Sequence, residues 1–118
     1  MKIVLLGYMG SGKSAIGSLL SEKLQISFYD LDYEIEKIEQ STISELFHSK
    51  GEIYFRKKEN EVLKTILAFE EDFVLSLGGG TPCYYNNHEL LKSEGVLSIY
   101  LKATTDTLTQ RLIDEKNS

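Results

Sequence analysis

The chain opens with a short apolar run, then a stretch rich in glycine, then a helical periodicity, and this order constrains its fold more than any other feature. Residues 2–6 (KIVLL) are almost continuously apolar and end at Gly7, which fits a strand buried on both faces. From Lys13 to Leu24 the apolar residues Ile16, Leu19, Leu20 and Leu24 recur at helical spacing. Between strand and helix, residues 7–14 (GYMGSGKS) satisfy the pattern G-x-x-x-x-G-K-[ST]. Glycines there let successive backbone N–H groups curl around phosphate oxygens, and the helix start adds partial positive charge. Lys13 can reach the outer phosphates and Ser14 offers a hydroxyl to Mg²⁺.

The same alternation continues downstream. Residues 26–30 (ISFYD), 73–77 (FVLSL) and 96–101 (VLSIYL) read as further short strands. Residues 31–38 form a charged, helix-compatible stretch carrying Ile35 and Ile38. Thr42 and Glu45 have capping-box spacing and predict a short helix through Phe47, stopped by Gly51. Residues 52–71 predict a long amphipathic helix with Ile53, Val62, Leu63, Ile66 and Leu67 inward and polar first turns. A helix is expected over residues 86–95, and a last one from Asp106 to about Glu115, capped by Thr104 or Thr105, with Leu108 and Leu112 inward. Strands alternating with helices predict an α/β fold with a central parallel sheet and helices on both faces. No repeat or linker interrupts residues 1–118, so one domain is expected.

Composition narrows the partners. With 26% charged residues and a formal net charge of −5, the chain is not built to grip nucleic acid over a broad surface, which leaves room for a local basic site for an anionic metabolite. Cys83 is the only cysteine, so no internal disulfide forms and no Cys/His set has zinc spacing, compatible with a reducing compartment. No apolar stretch approaches the ~18 residues of a membrane span, and the N-terminal run meets glycines too early for a signal sequence. A cytoplasmic monomer with small-molecule partners, neither nucleic acid nor membrane, is the expectation.

Beyond the phosphate loop, three features carry chemistry. Asp30 and Asp32 end the second strand; in an extended chain they point to one side, so both can face the loop, one toward a metal and one toward a phosphoryl acceptor. Acidic residues at strand ends also serve as turn-formers or helix caps. Arg56, in GEIYFRKKE (residues 51–59), is a fork of donors suited to a carboxylate. It can equally belong, with Lys57 and Lys58, to a solvated face pairing with Glu52, Glu59, Asn60 and Glu61. Gly78, Gly79 and Gly80 exceed what a turn needs, so something must approach the main chain closely. His48, His88 and Cys83 lack partner motifs and read as ordinary, and Tyr84 and Tyr85 either border a pocket or pack.

GYMGSGKS, FYDLD, GEIYFRKKE and VLSLGGGTP, in that order, resemble the shikimate kinase family along essentially the whole chain. The resemblance implies a three-layer P-loop kinase fold and ATP-dependent phosphorylation of shikimate at its 3-hydroxyl. It implies that Gly10, Ser11, Gly12, Lys13, Ser14 and Ala15 hold ATP phosphates, and that Ser14 and Asp30 serve Mg²⁺. By the same resemblance, Asp32 orients the attacking hydroxyl or takes its proton, Lys13 assists catalysis, Arg56 clamps the substrate carboxylate and Gly78–Gly80 line the shikimate pocket. A Cβ in that triplet is expected to intrude on the ring and phosphate. Arg111 lies near the family's adenine-contacting arginine. The family continues several dozen residues beyond Ser118 into an arginine-bearing lid and a last strand, so a truncated kinase is expected. The competing expectations are a gluconate kinase-like enzyme and a nucleotide-binding module without catalysis.

Overall fold

The computed structural model describes residues 1–7 and 12–101. The expected helix over 106–115 lies outside them, as do Gly10, Ser11 and Arg111. Four strands, β1 (Lys2–Leu6), β2 (Ser27–Asp30), β3 (Phe73–Ser76) and β4 (Val96–Tyr100), form one parallel sheet in the order β2-β3-β1-β4. Parallel neighbours need crossovers, and helices supply them: α1 (Lys13–Leu24) after β1, α2 (Leu31–Glu39) and α3 (Ile43–Leu67) after β2, and α4 (Asn87–Leu90) after β3.

The near-continuous apolar character of β1 and β3 is explained by their central position. All of β3 is buried, as are Ile3, Val4 and Leu5, whereas β2 and β4 are partly exposed. Alternate side chains feed two cores. Ile3, Leu5 and Val74 meet Ile16 of α1, with Phe28 packed alongside. Val4, Phe73 and Leu75 meet Leu31 and Ile35 of α2 and Phe55, Leu63 and Ile66 of α3 on the opposite face. The result is three layers, helix on sheet on helix.

Local chemistry sets the helix boundaries. Asp30 caps α2 by accepting from the Tyr33 N–H (3.1 Å), and Thr42 caps α3 by accepting from Glu45 N–H (3.1 Å). Gly51, at φ 85°, breaks the helical geometry of α3, separating 43–50 from 52–67 and extending the first part beyond the expected Phe47. The expected helix over 86–95 shrinks to α4, because residues 91–95 turn and Gly95 sits at φ 84°.

Several expected core positions face outward. Ile53 is 73% exposed and Ile38 56%. After Gly51 the sheet-facing stripe of α3 is Phe55, Glu59, Val62, Leu63 and Ile66, and Ile53, two residues before Phe55, is turned about 200° around the helix. In α1 the inward face is Ile16, Gly17 and Ser21, which leaves Leu19 and Leu24 partly exposed, at 38% and 41%.

Gly17 shows how closely α1 sits on the sheet. A Cβ there would overlap the Phe28 ring and lie 3.2 Å from Leu5 Cδ1. Gly17→Ala gains helix propensity but overpacks this contact, so a net loss of about 1–2 kcal/mol is expected. Denaturant unfolding of the variant checks this, and an unchanged midpoint would mean that α1 rides higher on the sheet than described.

Candidate active site

The strand register aligns the carboxyl ends of three strands: Leu5 pairs with Ser76, and Ser76 with Asp30. The connections leaving β1 and β3 run in opposite directions along the sheet, the place where open α/β sheets form a crevice. A cleft of about 330 Å³ occupies it, lined by residues 12–15 from the start of α1, by Asp30 and Asp32, and by residues 76–79 following β3.

The amino end of α1 enters this cleft through Gly12, whose left-handed backbone (φ 83°) favours glycine. Unlike α2 and α3, α1 has no side-chain cap and no acidic residue in its first turn. Its partial positive charge is therefore left facing the cleft. Lys13 Nζ donates to the Gly7 carbonyl (2.6 Å), and burial lowers its pKa, with Asp32 and Asp30 acting in the opposite sense. Ser14 Oγ donates to Asp30 Oδ2 (2.6 Å).

Asp30 and Asp32 both line the cleft, though not as an extended pair. Asp30 ends β2 and caps α2, which starts the helix immediately and puts Asp32 in its first turn. The capping role and the proximity to Ser14 coexist in Asp30, one oxygen for each. Asp32 lies deeper. Burial first, then repulsion from Asp30, Glu59 and Glu36, raises its pKa from the usual 3.8 to about 6, against the opposing pull of Arg56. A carboxylate titrating there is ionised at neutral pH yet basic enough to accept a proton from a reacting alcohol.

The glycine run turns over two side chains. A Cβ on Gly78 would lie 3.1 Å from Asp32 Oδ1, and one on Gly80 would lie 2.9 Å from Arg56 Nη2. The close approach inferred from the sequence is thus, at these two positions, made by the protein's own acid and guanidinium. Gly79 between them is exposed and lines the cleft.

Arg56 is held at one ring face and at one nitrogen. Its guanidinium lies 4.0 Å from the Tyr84 ring centre, so Tyr84 borders the site rather than merely filling space. Nη1 donates to both oxygens of Glu59 (3.1 and 3.2 Å). Glu59 does not belong to a solvated face as the polar pattern implied: it is 1% exposed, while Lys58 does pair at the surface with Glu61. Arg56 Nε is buried without a hydrogen-bond partner, with Glu52 Oε1 3.8 Å away.

Sequence reasoning gave no role to Thr81 or Asn87, both fully buried. Thr81 Oγ1 donates to Glu59 Oε2 (2.7 Å), and Asn87 Nδ2 donates to the Thr81 carbonyl (2.8 Å). Adjacency to the glycine run was the only available signal for Thr81.

The donor set also bears on a metal. No cluster of three or more acidic, His or Cys side chains able to hold one occurs among the described residues. Ser14 and Asp30 instead offer two hard oxygen donors at the cleft, which suits Mg²⁺, an ion commonly bound by one or two protein oxygens together with substrate phosphates and water.

A family model described as shikimate kinase matches residues 9–118. The chain is 54% identical over 111 residues to a shikimate kinase from Flavobacterium psychrophilum, covering 94% of this chain and 64% of that protein. Among solved structures, the shikimate kinase of Bacteroides thetaiotaomicron superposes with a TM-score of 0.82 at 39% identity, covering 96% of this chain and 63% of that one. The shikimate kinase of Acinetobacter baumannii in complex with shikimate gives 0.81 at 37%, covering 98% and 64%. The chain therefore spans slightly less than two thirds of the length of these relatives.

Proposed function

The chain belongs to the shikimate kinase family, and from that premise we propose that it acts as an ATP:shikimate 3-phosphotransferase, with a phosphate cradle and an acceptor site in one cleft. The observation that carries this reading is the convergence on one cleft of Lys13, Asp30, Asp32 and the glycine run, with Arg56 packed directly behind that run.

In this reading the α1 amino end, Lys13 and the phosphate loop hold the ATP phosphates, including Gly10 and Ser11, with Arg111 near the adenine. Ser14 and Asp30 hold Mg²⁺, which when bound neutralises charge on the outer phosphates. The 3-hydroxyl oxygen of shikimate attacks the γ-phosphorus in line, the bond from phosphorus to the β–γ bridging oxygen breaks, and ADP leaves. Asp32 accepts a hydrogen bond from the attacking hydroxyl, orients it and takes its proton. Lys13 balances the charge that develops on the transferring group.

Arg56 binds the substrate carboxylate. With Nη1 committed to Glu59 and Nε in only a long 3.8 Å ion pair with Glu52, the Nε and Nη2 edge still lacks a hydrogen-bonding acceptor and suits a second, bidentate partner. A buried donor without an acceptor is costly, and a ligand carboxylate reaching that edge removes the cost. Gly78–Gly80 supply backbone donors beside it without side-chain bulk. Two small molecules are the only partners the reaction requires, and a cytoplasmic monomer suffices; no helix among the described residues is long and apolar enough to cross a membrane.

An ADP-release assay on the full-length protein with shikimate, quinate and gluconate tests the reading. Release dependent on shikimate is expected. Release with gluconate but not shikimate would overturn it in favour of a different metabolite kinase, and nucleotide binding without transfer to any acceptor would leave a binding module.

A further inference from the structure

Thr81 sits where the glycine run meets the carboxylate clamp. Its N–H donates to the Gly78 carbonyl (3.2 Å), closing the turn over the triplet. Its hydroxyl donates to Glu59 Oε2 (2.7 Å), and its carbonyl accepts from Asn87 Nδ2 (2.8 Å). Asn87 Oδ1 in turn accepts from Asn60 Nδ2 (2.7 Å). Arg56, Glu59 and Asn60 are spaced three and four residues apart on one face of α3, so the circuit runs from that face through Thr81 and Asn87 and back to it. Thr81, Asn87 and Glu59 are at most 1% exposed, so no water competes for these bonds.

We propose that Thr81 is a positioning residue for the substrate clamp, holding Glu59 so that Arg56 presents its open edge to the acceptor's carboxylate. The inference rests on the function proposed above, and extends it to a fully buried residue outside the lining of the cleft. Glu59 takes both of its arginine contacts from the single nitrogen Nη1, which alone does not stop its carboxylate from rotating about the contact. The Thr81 hydroxyl pins one oxygen, and with it the plane of the carboxylate. The Glu59 oxygens then stay on Nη1 and do not compete for the Nη2 and Nε donors. Since the same residue closes the glycine turn, the loop that carries Gly79 into the cleft and the guanidinium behind Gly80 are set in register by one side chain.

The test uses the full-length protein and calorimetric dissociation constants for shikimate and for ATP. Thr81→Val keeps the shape and removes the hydroxyl, leaving a buried charge short of a donor; shikimate affinity should weaken by on the order of tenfold, ATP affinity by less than about twofold. Thr81→Ser should restore shikimate binding. Unchanged shikimate affinity in Thr81→Val, an equal loss for both ligands, or a stable Thr81→Ser that fails to rescue would each overturn the proposal. Should Thr81→Val not fold, Thr81→Cys, with a weaker donor of similar size, must show the same one-sided loss at smaller amplitude, and a two-sided loss or none overturns it. A wild-type protein that transfers phosphate to gluconate and not to shikimate sinks the parent reading and this inference with it. A wild type active on shikimate beside an unaffected variant sinks the role of Thr81 alone.

Discussion

Asp32→Asn in the full-length protein is expected to lower kcat on shikimate by about 10²–10⁴ while ATP affinity changes by less than about twofold. Asparagine keeps the size and one acceptor oxygen but cannot take the proton, so the loss belongs to the chemical step and not to nucleotide binding. Asp32 lies in the first turn of α2, and Asp30, not Asp32, contacts Ser14, which is why the nucleotide side should be spared. The pH dependence follows from the raised pKa of about 6. Wild-type activity should fall as pH drops through that value, because the protonated acid has lost the lone pair it needs, and the residual activity of Asp32→Asn should lack that limb.

Stability should move in the opposite direction. The folded-state value lies above the unfolded one, so between about pH 4 and pH 6 the folded chain holds a proton that the unfolded chain has released. Wild-type stability therefore declines as pH rises through this window, and at neutral pH the ionised, desolvated Asp32 opposes folding. Asp32→Asn should melt higher than wild type at pH 7 and lose that advantage toward pH 4. A variant that is both less active and less stable at neutral pH would show instead that Asp32 is a structural partner.

The second large effect is at Arg56. Arg56→Ala removes the counter-charge of a carboxylate that is 1% exposed, and breaking a buried pair from one side typically costs about 3–5 kcal/mol. A drop of that size in unfolding free energy is expected, seen as a lower denaturant midpoint. Shikimate binding should be lost with it, so the alanine variant alone confounds clamp and fold. Arg56→Lys separates them. It keeps a positive charge near Glu59 while losing the planar fork, so it should retain most of the stability yet raise the KM for shikimate by about tenfold or more, with the KM for ATP little changed. Equal effects on the two substrates would place Arg56 outside the acceptor site.

How much of this was legible beforehand depended on whether the determining contacts are local. The phosphate loop was readable because its chemistry demands contiguous residues between a strand and a helix, and Lys13 and Ser14 stand where that pattern puts them. The central strands were readable because burial on both faces leaves no polar alternation in KIVLL or FVLS. The α2 and α3 caps, Asp30 and Thr42, are likewise local. What failed was set by tertiary packing. Glu59 looks like any acid on a charged helix until Thr81 arrives from beyond β3 to join Arg56, one turn away on the same helix, in satisfying it in the interior. Ile53 looks like core until the break at Gly51 fixes which stripe of α3 faces the sheet. The pairing of Asp30 and Asp32 was anticipated from strand alternation, but the strand ends at Asp30, whose cap contact to Tyr33 starts the helix at Leu31, and the two acids reach the same cleft by another route. Glycines at 78 and 80 signalled a close approach correctly; that Asp32 and Arg56 are what approaches could only come from the packed structure.

The most direct test of the shared cleft is a crystal structure of the full-length protein with shikimate and a non-hydrolysable ATP analogue. The terminal phosphate is expected beside Lys13, the shikimate 3-hydroxyl within hydrogen-bond distance of Asp32, and the carboxylate on the Nε and Nη2 edge of Arg56. Shikimate bound away from both Asp32 and Arg56, or nucleotide phosphates seated anywhere other than the amino end of α1, would contradict it.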